Sequence, residues 1–216
     1  MAATPRGDGD RPRSAQRPAA QAERRADARR NIRSILDAAH LCLARDADAS
    51  VSDIAKAAGV GRVTLYGHFK TRADLVDAVL TRTMEQSDAA LEATDTGGDP
   101  RQALTRLVGA SWQIVHQLHS VLLAAHRELP PERIRAVHDQ ALHRVQAIVD
   151  RGRRSGVFRD DLPERWLVTT VFSLMHAAAQ DTAAGRLDAG DAPRVISATL
   201  LAALTAPGTA VPTPAP

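Results

Sequence analysis

Apolar residues recur along this chain at the spacing of helices rather than strands. The clearest series lies between residues 24 and 44 and consists of Ile32, Ile35, Leu36, Ala39 and Leu43. Because these positions follow one another at i, i+3, i+4, i+7 and i+11, they form a single stripe of an amphipathic helix. No run of residues alternates between apolar and polar positions over the length of a strand. The pattern therefore predicts an all-α protein.

Two short helices are predicted after this first one. Ser52 is expected to cap the first of them, which ends at Gly59 because glycine readily takes a positive φ. The second runs from Arg62 to Phe69. Helices this short are not stable alone, so both must pack on the first helix. The Gly59-Val60-Gly61 turn between them predicts a helix-turn-helix.

Longer helices follow. Thr71 and Asp74 have the spacing of a capping box and open a helix that runs towards Leu91. A Gly97-Gly98-Asp99-Pro100 break ends this part of the chain. Interior prolines then lie where new helices begin, because the first turn of a helix needs no backbone N–H donor. The four predicted stretches are 100–127, 131–154, 163–184 and 193–205.

These elements predict an N-terminal three-helix domain that contains the helix-turn-helix and a C-terminal helical bundle. Both ends of the chain are polar and rich in proline, without apolar periodicity, and are expected to be disordered. The predicted units are a basic arm over 1–23, the helix-turn-helix domain over 24–72, a connecting fourth helix over 72–93, the bundle over 98–205 and a tail over 206–216.

Charge separates the two parts of the chain. The first 72 of the 216 residues carry 14 basic and 8 acidic side chains, whereas the remainder carries 14 and 17. A basic segment joined to an acidic one indicates contact with a polyanion at one end only, because exposed cations gain by releasing counterions from phosphates. A solvated tail would give the same composition.

Composition limits the cellular compartments in which the protein is expected. Cys42 is the sole cysteine, which excludes an intramolecular disulfide, and we interpret it as a buried small apolar residue. The start of the chain has no apolar signal-peptide core, and no apolar stretch is long enough to span a membrane. A cytoplasmic protein without membrane contact is therefore expected.

The second helix of the helix-turn-helix carries side chains suited to a DNA groove. Arg62 and Thr64 can bond to base edges, Val63 can contact a thymine methyl group, and the Tyr66 hydroxyl can donate to a phosphate. Gly67 costs about 1 kcal/mol in a helix, which suggests a need for close approach.

The run from Val51 to Leu75 resembles the DNA-binding signature of TetR-type bacterial transcriptional regulators. It contains the core Thr64-Leu65-Tyr66-Gly67-His68-Phe69, followed by Lys70, and the resemblance extends over residues 28–80. The chain departs from the common pattern at Gly61, where the family often has serine, so the cap of the third helix is in doubt.

The resemblance implies an all-α homodimer that binds a palindromic operator in double-stranded DNA, usually as a repressor released by a small-molecule effector. Carried over by position, it implies base readers in the second short helix and phosphate contacts at the starts of the neighbouring helices. The implied DNA-binding residues are Arg29, Arg30, Ser52, Arg62, Val63, Thr64, Tyr66, His68 and Lys70.

An effector pocket is expected inside the C-terminal bundle, where aromatic, apolar and hydrogen-bonding side chains cluster on two stretches. The candidate ligand-binding residues are Trp112, Val115, His116, His119, Phe172, Met175, His176 and Gln180. A plain core with satisfied histidines is the alternative. His116 and His119 have metal-ligand spacing, but no acidic residue or cysteine adjoins them, so neither a metal nor another cofactor is expected.

Two other functions stay open on the sequence. The chain could be a dimeric DNA-binding regulator with no small-molecule effector, its bundle serving only to dimerise or to dock a protein. A helical enzyme is the third reading, although the sequence contains no phosphate-binding glycine loop and no nucleophile signature.

Overall fold

The computed structural model describes residues 16–211. The disorder predicted at residues 1–15 and 212–216 therefore lies outside the described residues. Within the described part, two residues, Phe158 and Thr205, form an isolated β-bridge and the regular structure is otherwise helical, so the all-α prediction is confirmed. The helices are α1 (Gln16–Arg45), α2 (Val51–Ala57), α3 (Arg62–His68), α4 (Arg72–Leu91), α5 (Pro100–Glu128), α6 (Pro131–Val137), α7 (Asp139–Arg154), α8 (Glu164–Ala183) and α9 (Ala192–Leu204).

The first helix is longer than its apolar stripe. α1 begins at Gln16, within the segment expected to be disordered, whereas the stripe predicted a start near residue 24. The sequence from 19 to 30 consists of Ala, Gln, Glu, Arg and a single Asp, and most of these are strong helix formers. Pro18 is tolerated because it lies in the first turn. Local propensity thus extends the helix beyond the part that a core requires.

The interior prolines mark helix starts as predicted. Pro100 and Pro131 are the first residues of α5 and α6, Pro163 is the N-cap of α8, and Pro193 lies in the first turn of α9. The confirmed pattern follows from the missing N–H of proline, which costs nothing where the helix has no acceptor for it.

The predicted helix over 131–154 is wrong in one respect, because it is broken at His138 into α6 and α7. The imidazole Nδ1 of His138 lies 2.7 Å from the carbonyl oxygen of Ile134, which is the acceptor that the backbone N–H of His138 would use in a continuous helix. That N–H bonds instead to the carbonyl of Arg135, 3.0 Å away. The carbonyl of Ile134 thus accepts from the His138 side chain where the helical pattern is interrupted.

Two hydrophobic cores stabilise the molecule, and α5 belongs to both. The head core is formed by α1, α2, α3 and α4. The body core is formed by α7, α8, α9 and the first half of α5. The second half of α5, with one residue of α6, completes the head core through Leu118, Val121, Leu122, Ala124, Ala125 and Ile134. Within the described residues, no helix is both long enough and apolar enough to cross a membrane.

Candidate nucleic-acid interface and effector cavity

The third helix is held at its base and exposed elsewhere. α2 ends at Gly59, whose φ of +68° is the left-handed conformation that glycine tolerates best. The chain then turns so that the Val60 N–H donates to the carbonyl of Ala55 at 3.0 Å. Leu65, fully buried, and Phe69 anchor α3 in the head core.

The remaining residues of α3 form an outward surface. Val63 is 87% exposed and Tyr66 is 38% exposed, although both could have been buried at little cost. Arg62 and Thr64 are also exposed, and His68 is half-buried. The Arg62 guanidinium makes no hydrogen bond or ion pair with any described residue. The predicted base readers therefore lie together on one free surface.

The cap of α2 differs from the prediction. Ser50 is the N-cap, and its hydroxyl accepts a hydrogen bond from the Asp53 N–H at 3.2 Å, so the prediction of Ser52 is wrong. Val51 is buried and therefore takes the first helical position, which moves the cap to the residue before it. The Ser50 hydroxyl also bonds to the Asp53 carboxylate and, as the main cause, lowers the pKa of that carboxyl. Ser52 lies exposed in the first turn.

The predicted capping box of α4 is confirmed. The Thr71 hydroxyl accepts from the Asp74 N–H at 3.0 Å, and the Asp74 carboxylate accepts from the Thr71 N–H at 3.0 Å. Lys70 precedes this cap and is exposed, with its Nζ 3.4 Å from the carbonyl oxygen of Gly67. Its charge therefore lies at the N-terminus of α4, where free N–H groups already favour an anion. By contrast, the N-cap of α3 is Gly61, which has no side chain to cap the helix, as the sequence implied.

The two candidate arginines on α1 differ. Both are exposed, but Arg30 forms an ion pair with Asp27 while Arg29 has no such partner among the described residues. Arg29 is therefore the stronger candidate for a phosphate contact. Ser34, one turn further along α1, donates a hydrogen bond to the carbonyl of Ala58 at 3.0 Å and ties α1 to the end of α2.

A cavity of about 90 Å³ lies between the two cores. α4, α5, α7 and α8 supply its walls, and His138 reaches it from the break between α6 and α7. Most of the lining is Leu, Val, Ile, Met and Phe. The polar residues in the wall are Ser87, Asp88, Ser111, His138, Arg144 and His176.

Four of the predicted ligand-binding residues line this cavity, namely Val115, Phe172, Met175 and His176. The other four lie outside its lining. Trp112 is buried and its indole N–H donates to the carbonyl of Ala189 at 2.9 Å, while His116 stacks on its ring. His119 is half-buried and Gln180 is exposed. Effector binding by any of the eight stays a prediction.

Burial controls the charge of the cavity histidine on α8. It lowers the pKa of His176 to about 4, and the neighbouring His138, His126 and His119 add smaller contributions in the same direction. The ring is therefore uncharged at neutral pH. His138 lies edge-on to it, with ring centres 5.9 Å apart.

Sequence reasoning missed the charged residues of the cavity. Asp88 on α4 and Arg144 on α7 form an ion pair and are only 16% and 20% exposed. Arg144 also donates to the Asp88 carbonyl at 3.1 Å. No local signal marks this pair, because its members are 56 positions apart and each resembles a surface residue of an amphipathic helix.

A second arginine joins α6 to the part of α4 nearer the helix-turn-helix. Arg133 on α6 donates to the Asp77 carboxylate at 2.7 Å and to the Thr81 hydroxyl at 2.8 Å. At the first residue of α4, Arg72 donates to Glu128 at 2.8 Å and to the Ala47 carbonyl at 2.7 Å. The helix that follows the DNA-binding unit is thus held along its length by charged contacts.

An exposed helix-turn-helix beside a helical body with an apolar cavity defines a DNA-binding regulator, and comparison with known proteins agrees. The family model described as bacterial regulatory proteins, tetR family, matches residues 35–79. The HTH-type transcriptional repressor LfrR of Mycolicibacterium smegmatis is 35% identical over 159 residues, which are 70% of this chain and 80% of that protein. The chain therefore belongs to the TetR family of bacterial transcriptional regulators.

Solved structures show the same fold. The structure of LfrR from Mycobacterium smegmatis in complex with proflavine has a TM-score of 0.62 and 28% identity, covering 79% of this chain and 95% of that one. FadR from Bacillus subtilis in complex with stearoyl-CoA has a TM-score of 0.65 and 21% identity, covering 77% and 96%. A regulator from Saccharomonospora viridis in complex with choline has a TM-score of 0.68 and 22% identity, covering 81% and 97%.

Proposed function

We propose that this protein is a repressor that binds a palindromic operator through α3 and leaves it when a small molecule enters the cavity. The observation that carries the DNA contact is the outward surface of α3, where every side chain but that of Leu65 is exposed or half-buried. Arg62, Val63 and Thr64 read base edges, while Tyr66, His68, Lys70, Ser52 and Arg29 contact the backbone. Arg30 contributes less, because Asp27 already pairs with it.

Operator binding requires two copies of the chain. One helix-turn-helix reads one half-site, and two must be about 34–36 Å apart to enter successive major grooves. α8 and α9 support a homodimer, because both have a face of small residues that no other part of residues 16–211 covers. The exposed or half-buried small residues are Thr169, Ser173, Ala177, Ala198, Thr199 and Ala202. Trp166, 59% exposed at the start of α8, supplies a large apolar group at the edge of this face.

Ligand entry would move α4. The cavity of about 90 Å³ is smaller than the roughly 150 Å³ cavity that accepts benzene in another protein, so even one aromatic ring must displace its walls. α4 supplies Leu80, Met84 and Leu91 to those walls and leads directly into the DNA-binding unit. A ligand that prefers the widened cavity needs to contribute only about 1–3 kcal/mol of coupling to weaken DNA binding.

Binding to a duplex from the promoter region of its own gene tests the DNA assignment. We expect Arg62→Ala to weaken specific binding by about 1–3 kcal/mol, because it removes a base contact. Lys70→Ala should lower the slope of log K against log salt concentration by about 1, because it removes one phosphate contact. Fluorescence anisotropy at several salt concentrations gives both quantities.

The matched control is Arg154→Ala, because this arginine is 71% exposed at the far end of α7 and, among the described residues, pairs with Asp150 alone. It should change neither quantity. Equal binding by all three variants and the unaltered protein would contradict the DNA assignment. If the operator is bound but no small molecule releases it, the regulator without an effector is the better function.

A further inference from the structure

We propose that the cavity binds an uncharged aromatic molecule with an N–H or O–H donor, the class of phenols and indoles, and that His138 accepts the hydrogen bond. The inference rests on the proposed function in one respect, that the cavity between the cores is the effector site. The ligand class follows from the charges, the hydrogen bonds and the rings of the cavity wall.

The charges of the wall cancel. Asp88 and Arg144 are the charged residues that line the cavity within the described chain, and they form an ion pair with each other. A carboxylate ligand would place a second negative charge beside Asp88, and an ammonium ligand would place a second positive charge beside Arg144. Either leaves one charge uncompensated in a largely buried site, which is costly. An uncharged ligand avoids this cost.

Two hydrogen-bond donors of the wall, on His138 and Ser87, are committed within the protein. A carbonyl oxygen can only accept, so the 2.7 Å contact between His138 Nδ1 and the Ile134 carbonyl requires the proton on Nδ1. The Ser87 hydroxyl likewise donates to the Thr83 carbonyl at 2.8 Å. Since Nδ1 of His138 is bonded to the backbone, Nε2 is the ring nitrogen that remains for a ligand in the cavity that His138 lines. A ligand with a donor would satisfy it.

The rings of the wall favour an aromatic ligand. His138 lies edge-on to Phe172, with ring centres 6.3 Å apart and an angle of 89° between the planes, and edge-on to His176 as well. A flat ring can extend this perpendicular arrangement, which is a preferred geometry of aromatic pairs. Met84 and Met175, which also line the cavity, are flexible enough to make room for it.

Two matched pairs of probes test the inference on the full chain. Phenol is compared with anisole, and indole with 1-methylindole, because each second member lacks the donor but keeps the ring. Benzoate and benzylammonium are the charged probes. We expect phenol and indole to bind about 3- to 10-fold more tightly than their methylated partners, which corresponds to one hydrogen bond. Both charged probes should bind more weakly than phenol. Isothermal titration calorimetry measures all six.

The variant His138→Phe keeps a ring at this position and removes the acceptor. It should abolish the preference for phenol over anisole, whereas His143→Gln, an exposed histidine on α7, should preserve it. Equal binding of the paired probes by the unaltered protein, tighter binding of benzoate, or no binding of any probe would overturn the inference. Circular dichroism of both variants excludes a loss of fold as the cause.

Operator release separates this inference from the proposed function. If phenol and indole bind with the expected preference but leave the operator complex intact, the ligand chemistry holds and the effector role fails. If charged aromatics release the operator while phenol and indole do not bind, the effector role holds and the inferred ligand class is wrong.

Discussion

At Gly152, near the end of α7, there is no room for a side chain. A Cβ atom built there would lie 2.1 Å from Cδ2 of Phe158, whose ring is 1% exposed in the body core. We expect Gly152→Ala to lower the free energy of unfolding by about 1–3 kcal/mol, because a buried ring must move to admit the methyl group. Urea unfolding followed by circular dichroism measures the change.

Gly109 provides the matched comparison for this substitution. It lies exposed within α5, and a Cβ built there meets no atom within 4 Å. Gly109→Ala should therefore raise the free energy of unfolding by about 1 kcal/mol, because alanine is the better helix former. A similar effect of both substitutions would show that the ring of Phe158 does not fill the space above Gly152.

Single residues were predictable from the sequence where their surroundings are local. The exposed surface of α3 follows from eight consecutive residues, since Leu65 and Phe69 fix which side is buried. The cavity residues Asp88 and Arg144 could not be found in this way, because their pairing depends on how α4 packs against α7. Nor does the sequence show that Trp112 lies outside the cavity lining, where its indole N–H donates to the carbonyl of Ala189.

Side chains fix the start of α4. Its capping box satisfies two backbone N–H groups, those of Thr71 and Asp74. We expect Thr71→Ala to destabilise the protein by about 1 kcal/mol, because it removes the side-chain acceptor at the N-cap. Thermal and urea unfolding measure the effect.

Thr105→Ala is the control for the cap. The hydroxyl of Thr105 bonds to the Arg101 carbonyl, which already accepts a helical hydrogen bond inside α5. Its removal should be close to neutral because alanine favours the helix. Equal destabilisation by the two substitutions would mean that the loss at Thr71 is one of packing and not of capping.

Helix boundaries were predictable where a single residue decides them, as at Gly59 and the interior prolines. They were wrong where two signals compete. At the start of α2 the burial of Val51 outweighs the capping preference of Ser52, and Ser50 becomes the cap. At His138 the backbone N–H bonds to the Arg135 carbonyl, which interrupts a helix that propensity alone would continue.

Across the whole molecule, α6 connects the cavity to the DNA-binding end of α4. Its last turn adjoins His138 at the cavity, and Arg133 binds Asp77 and Thr81 on α4. We expect Arg133→Ala to leave the affinity of a ligand for the free protein within about threefold, while more ligand is needed to release the operator. Calorimetry and anisotropy measure the two effects separately.

Arg135→Ala serves as the comparison, because this arginine is exposed on the same helix and has no partner among the described residues. It should alter neither ligand affinity nor operator release. If Arg133→Ala changes ligand affinity and release to the same degree, this ion pair shapes the cavity and does not transmit its state.

The second half of α5 completes the head core beneath the DNA-binding helices. The glycine-rich turn at Gly97 and Gly98, just before α5, nevertheless looks like a domain boundary in the sequence. A hybrid regulator made by joining residues up to 97 to a foreign dimerising protein would leave Val76, Val79 and Leu80 without the helix that covers them. The junction for such a chimera should fall after α6, because the DNA-binding part then keeps both α5 and Ile134.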